Sequence, residues 1–139
     1  MAEFIWHDFF EIGVDFIDDD HKNLLIIIQD IQNAIDASEH KKCIVLLNKL
    51  ITEARDHFKR EEEYLEQVKY PELETHKNYH SDLLERADTT KRICEGVEEG
   101  KDLNNCFDGM AKFLVDDIFH GDIKFKSHLE YYGHIKHKK

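Results

Sequence analysis

Residues 57–65, HFKREEEYL, place a histidine and a glutamate four positions apart on a stripe that ought to be apolar. The stripe begins upstream and contains Leu47, Leu50, Ala54, His57, Glu61 and Tyr64. Its alternating steps of three and four residues mark one face of a helix turned toward a core. Two ligand-type side chains on such a face are the feature from which the rest of the chain is interpreted.

Three further segments repeat the periodicity. The first contains His21, Leu24, Ile28, Ile31 and Ile35 and is opened by the acidic run Asp18-Asp19-Asp20, which suits a helix N-terminus. The third follows Pro71 and contains Leu73, His76, His80, Leu83 and Ala87. Gly96 and Gly100 mark the next break, and the fourth stripe contains Leu103, Phe107, Met110, Leu114 and Asp117, with Gly121 just beyond. Short connections make successive helices antiparallel neighbours. The expected fold is all-α, an up-down-up-down antiparallel four-helix bundle with a short N-terminal arm. One domain spans residues 1–139, with the arm at about 1–17, the bundle at about 18–120 and a C-terminal segment at about 121–139.

His21, His57, Glu61, His76 and His80 all occupy stripe positions. One core histidine has a bland explanation, the satisfaction of a buried carbonyl. Five such residues on three facing helices do not, because burying each without a partner costs roughly 1–3 kcal/mol. A shared metal satisfies them together. The i,i+4 pairs His57/Glu61 and His76/His80 put both side chains on one face, about 6 Å apart at their Cβ atoms. Imidazoles with carboxylates and no thiolate suit iron, manganese or zinc, and more than four donors exceed one tetrahedral zinc. Carboxylates able to bridge inside a bundle point to a dinuclear site, and to iron first.

Composition narrows the classes. The net charge of -11 argues against nucleic acid or an anionic membrane as partner, since both need clustered Lys/Arg. The longest strongly apolar run, Leu24 to Ile28, is far short of a membrane span, and MAEFIWHDFF has no basic n-region, so a cytoplasmic location is expected. Cys43, Cys94 and Cys106 suit no disulfide framework and are expected as reduced thiols. His7, His40, His128, His134 and His137 are expected in solvent, as is the charge run Glu62, Glu63 and Glu66. Trp6, Phe9 and Phe10 are expected to pack over the bundle end.

IGVDFIDDDHKNL around His21, HFKREEEYL, YPELETHKNYH and the final FLVDDIFHGD (residues 113–122) occur in the order found in the hemerythrins, which the chain resembles, in particular the bacterial ones. The resemblance covers nearly the whole chain. It implies the same bundle, an oxo- or hydroxo-bridged di-iron centre and reversible binding of dioxygen. His21 and His57 resemble the two histidines of the iron with an open position, and His76 and His80 resemble two of the three on the other iron. Glu61 resembles one bridging carboxylate. The family closes with a WLxxHIxxxD-like pattern carrying the third histidine and the second bridging carboxylate. Aligned without a gap, Phe113 takes the tryptophan position, Leu114 and Ile118 keep theirs, and Asp122 matches the bridging aspartate. The histidine position is Asp117. His120 is the alternative, although it lies about 60° round an ideal helix from Asp117, off the stripe; water is a third way to fill the place.

Leu24, Ile28, Phe113, Leu114 and Ile118 are the expected apolar wall of the oxygen pocket. The resemblance implies a dioxygen carrier, store or sensor, the last with a fused or separate signalling partner. Whether the chain is an enzyme stays open: a di-iron oxidase, peroxidase or nitric oxide reductase is one alternative, and iron storage another. No Ser/His/Asp triad, phosphate loop or nucleotide motif occurs in the chain.

Overall fold

The computed structural model describes residues 11–97, 108, 112, 116, 117 and 122–135. Helices and the turns between them make up these described residues, with no strand among them. Helix α1 is Asp15–Asp36, α2 His40–Gln67, α3 Leu73–Glu95 and α4 Ile123–Tyr131. Asp108, Lys112 and Asp116 are also helical, in the region of the fourth stripe, whereas Leu103, Phe107, Met110 and Leu114 lie outside the described residues. Helix α1 packs along α2, and α2 along α3.

Two of the helix ends are closed without glycine. Ser38 (φ 56°) follows α1 and Lys69 (φ 58°) follows α2, both left-handed. In each case the next residue's N–H reaches back to a carbonyl five positions earlier, Glu39 to Ala34 at 2.8 Å and Tyr70 to Leu65 at 2.9 Å. This double-bonded C-cap satisfies the last carbonyls and reverses the chain within a few residues. Helix α4 ends the same way, with Gly133 (φ 75°) left-handed and His134 N–H on Leu129 O.

The apolar residues form two clusters. The larger joins α1, α2 and α3 through Leu24, Ile28, Ile31, Leu47, Leu50, Ala54, Phe58 and Leu83, among others. The smaller joins Ile12, Ile17, Leu65, Tyr70, Phe125 and Leu129. Between them in sequence on each helix lie the histidines: His21 between Ile17 and Leu24, His57 and Glu61 between Ala54 and Leu65, and His76 and His80 between Tyr70 and Leu83.

Two expectations, on His128 and on Cys94, are corrected. The C-terminal segment contributes α4, whose Phe125 and Leu129 are fully buried, because their i,i+4 spacing makes one apolar stripe among lysines. His128 is no solvated tail residue: its Nε2–H donates to Val68 O at 3.0 Å and ties α4 to the α2–α3 turn. Cys94 is disulfide-bonded, while Cys43 is free and buried. The arm is held by Asp18, whose two carboxylate oxygens accept from Ile12 N–H (2.8 Å) and Gly13 N–H (3.1 Å). Gly13 has φ 99°, a conformation open to glycine, and a Cβ there would stand 3.3 Å from Ile135.

Candidate metal centre

The structure brings His21, His57, Glu61, His76, His80, Asp117 and Asp122 into one buried polar layer. Their donor atoms fall into two overlapping groups, His21/His57/Asp117/Asp122 and Glu61/His76/His80/Asp122, each compact enough for one cation. Each ring has its Nε2 among the carboxylates. On one side His57 Nε2 stands 3.1 Å from Glu61 Oε2 and His21 Nε2 stands 2.8 Å from Asp122 Oδ2. On the other, His76 Nε2 is 2.7 Å from Glu61 Oε1 and 3.3 Å from Asp122 Oδ1, and His80 Nε2 is 3.2 Å from Glu61 Oε1. Two donors bound at about 2.1 Å to one ion stand about 3 Å apart when at right angles. The separations therefore match shared coordination.

Asp117, the residue in the histidine's place, reaches the layer. Its Oδ2 is 3.4 Å from His21 Nε2 and 4.0 Å from His57 Nε2, and its Oδ1 is 3.5 Å from His80 Nε2. A local change of helix explains how two aspartates five positions apart both point inward. On an α-helix they would diverge by about 140°. Asp117 and Asp122 are each π-helical, a wider winding than that of an α-helix. On α3, Tyr79 O–H donates to Asp116 O at 3.0 Å and Arg86 contacts the Asp116 carboxylate at 3.3 Å, which fixes the backbone just before Asp117.

Two of the rings are oriented from outside. His57 donates its Nδ1–H to Asp20 Oδ2 at 2.9 Å, and the same oxygen accepts from Arg60 Nη2 at 2.8 Å. His80 donates its Nδ1–H to Glu62 Oε2 at 2.9 Å. Since a carboxylate only accepts, each contact fixes the tautomer and turns the Nε2 lone pair of the neutral ring inward. Phe58 stacks on His80 with ring centres 3.9 Å apart, and Phe125 meets His76 edge-on at 5.3 Å. Spacing alone does not reveal these partners, since Asp20 belongs to the acidic run Asp18-Asp19-Asp20 and Glu62 to the charge run of α2. Glu62 lies next to Glu61 in sequence, and its partner was visible only once α3 was docked.

The electrostatics follow from burial and proximity. Burial opposes a charge on His57, yet Asp20 and Glu61 outweigh it and push the ring up to about 9. His76 is likewise pushed up to about 9, against burial, by Asp122 and Glu61. Burial and the neighbouring Asp117 and Glu61 push Asp122 up to about 6. Asp117 is brought down to about 2, because His21 and His80 outweigh its burial. Despite these close approaches, His21 Nε2, His57 Nε2, His80 Nε2, Glu61 Oε2 and both oxygens of Asp117 and Asp122 make no well-directed hydrogen bond. Buried polar atoms are normally satisfied, so such nitrogens and oxygens converging on two points are the donor set a pair of cations would complete.

Residues 12–125 match the family model described as the Hemerythrin HHE cation binding domain. The chain belongs to the hemerythrin family. It is 34% identical over 125 residues to a myohemerythrin of Theromyzon tessulatum, covering 89% of this chain and 92% of that protein. It is 25% identical over 126 residues to a bacteriohemerythrin of Clostridium acetobutylicum, covering 88% and 98%. A bacteriohemerythrin of Stenotrophomonas maltophilia is 27% identical over 138 residues, covering 96% and 88%. Hemerythrins bind dioxygen at a di-iron centre, and the His/Glu/Asp layer of this chain fits that cofactor. Of the residues expected around the oxygen pocket, Leu24 and Ile28 are buried in the larger apolar cluster. Phe113, Leu114 and Ile118 lie outside the described residues, as does His120, the alternative to Asp117.

Proposed function

We propose that the chain is a dioxygen-binding di-iron protein serving as an oxygen or redox sensor or as an oxygen carrier. His21, His57, Glu61, His76, His80, Asp117 and Asp122 are the proposed iron ligands. The observation that carries the reading is the convergence of seven buried donor residues into two groups sharing Asp122, with most of their inner atoms in close approach but not in well-directed hydrogen bonds. Iron bound there supplies reversible electron donation to dioxygen. The protein's own part is positional. Asp20 and Glu62 hold the His57 and His80 rings in the tautomer that offers Nε2 inward. Leu24 and Ile28, with Phe113, Leu114 and Ile118, are the proposed apolar wall that keeps water from the ligand.

The proposed scaffold is one domain, an antiparallel up-down-up-down four-helix bundle; the turns at residues 37–39 and 68–72 are short enough to make neighbours antiparallel. The sensor reading gains support from Asp117. A carboxylate in place of an imidazole adds negative charge, which favours the ferric state and shortens retention of dioxygen. That suits a responder coupled to a signalling partner. We also propose a cytoplasmic location. No described helix is long and apolar enough to cross a membrane, although the Cys94 disulfide is unusual for a reducing compartment, so cell fractionation is the check. Metal analysis with an optical spectrum tests the centre: about two irons per chain with near-ultraviolet oxo-bridge bands are expected. A single zinc per chain overturns it.

A further inference from the structure

The three buried carboxylates of the centre are arranged alike. Glu61 turns Oε2 toward His57 and Oε1 toward His76 and His80. Asp122 turns Oδ2 toward His21 and Oδ1 toward His76. Asp117 does the same, with Oδ2 toward His21 and His57 and Oδ1 toward His80. A ligand that merely replaced the third histidine would serve the His76/His80 side alone. Asp117 instead splits its oxygens between the two imidazole pairs at nearly equal distances, 3.4 Å and 3.5 Å.

We propose that Asp117 is a third bridging carboxylate, giving one oxygen to each metal position, so that both positions carry the same donor set. This rests on the di-iron reading above. Each position then has two imidazole nitrogens and three carboxylate oxygens: His21 and His57 on one side, His76 and His80 on the other, with Glu61, Asp117 and Asp122 between. The resemblance implied a different centre, one iron with three histidines and the other with two. Side-chain length explains the change. A histidine projects far enough to bind the nearer metal head-on, whereas an aspartate at the same backbone position ends short, between the two. The π-helical setting of Asp117 and the hold of Tyr79 and Arg86 on Asp116 keep it there.

The functional consequence concerns ligand entry. With five protein donors and the oxo or hydroxo bridge, an ion on either side would already have six donors, so an incoming ligand would have to displace one carboxylate oxygen. Neither side is distinguished by its donors as the only point of attachment. A small anion or diatomic therefore meets a centre with equivalent halves.

The test is a crystal structure of the full chain loaded with cobalt(II), with the metals located by anomalous scattering. Two cobalt ions about 3.5–4 Å apart are expected, with one Asp117 oxygen on each. Both oxygens on one ion, or neither on any, overturns the proposal. Stepwise cobalt titration of Asp117→Asn supplies a second reading, with helical content checked by circular dichroism. A shared bridge predicts that both binding steps weaken, each by about tenfold or more. One step weakened with the other unchanged identifies a ligand of a single metal and overturns the bridge. A wild-type chain that takes up only one cobalt overturns the di-iron reading itself, and the bridge with it.

Discussion

Helix α2 runs through two layers of opposite character on a single stripe. Leu47, Leu50 and Ala54 belong to the apolar cluster, and His57 and Glu61, the next stripe positions, belong to the donor layer; all five are fully buried. In the apolar layer every contact adds to stability, at about 25 cal/mol per Å² removed from water. In the donor layer burial works the other way, since an unpaired buried polar atom costs about 1–3 kcal/mol. The donor layer therefore does not assemble itself. The clusters on either side impose its geometry, and the metal recovers the cost of forming it.

Removing a donor has the largest expected effect. His57→Ala or His76→Ala is expected to lose iron, with affinity down by more than about 100-fold, beyond what an outer partner contributes. His134→Ala, at an exposed position past α4, should keep it. Iron content of the purified variants measures this, and equal iron in all three would refute the assignment. In the apolar layer Leu50→Ala should cost about 2–5 kcal/mol of unfolding free energy and leave metal stoichiometry unchanged. Denaturant unfolding alongside metal analysis separates the two layers.

The metal-free protein should show a pH signature that the apolar layer cannot produce. His57 and His76 titrate near 9 in the folded state, above the ordinary imidazole value of 6.5. Their contribution is therefore complete below the unfolded value and is lost as pH rises through the folded one. Asp122, raised to about 6, acts in the same direction at lower pH. Asp117, lowered to about 2, acts oppositely and contributes above about pH 4, with loss as pH falls toward 2. Thermal unfolding of the apoprotein should thus peak in mildly acidic solution and fall toward pH 9, while metal uptake releases protons. A flat profile from pH 6 to 9 would contradict these shifts.

Smaller effects sharpen the boundary of the donor layer. Asp20→Asn and Glu62→Gln leave the ligands intact but disturb the tautomer of His57 or His80, and should weaken metal binding by about 10–100-fold. Arg60 is half-exposed and pairs with Asp20, so Arg60→Met should change stability by about 1 kcal/mol or less. Competition against a chelator of known affinity ranks the three, and an Arg60 variant as weak as Asp20→Asn would mean the arginine does more than hold its carboxylate.

Much of this was legible from spacing. A 3.6-residue period is a local property, so the stripes, the helices they announce and the polar intruders His21, His57, Glu61, His76 and His80 could be picked out directly. Pro71 fell in the turn before α3 and Gly96 at its end, as breakers should. The ends of α1 and α2 gave no such signal, because Ser38 and Lys69 adopt left-handed backbone that their side chains do not advertise. Helix α4 was hidden among lysines, its Phe125 and Leu129 too brief a pattern to stand out.

The amino-acid order by itself marked the candidate donors, put them on core-facing stripes of helices, and aligned an aspartate with the family's histidine position. Tertiary structure alone decided what those donors meet. His57 and Asp20 are 37 positions apart, His80 and Glu62 18, and His128 and Val68 60. Whether such residues touch depends on how each helix is rotated and how far it slides along its neighbour, which packing of the whole core sets and no local period encodes. Asp117 illustrates the division: its identity is written in the chain, but its place between both imidazole pairs exists only where α1, α2 and α3 converge around it.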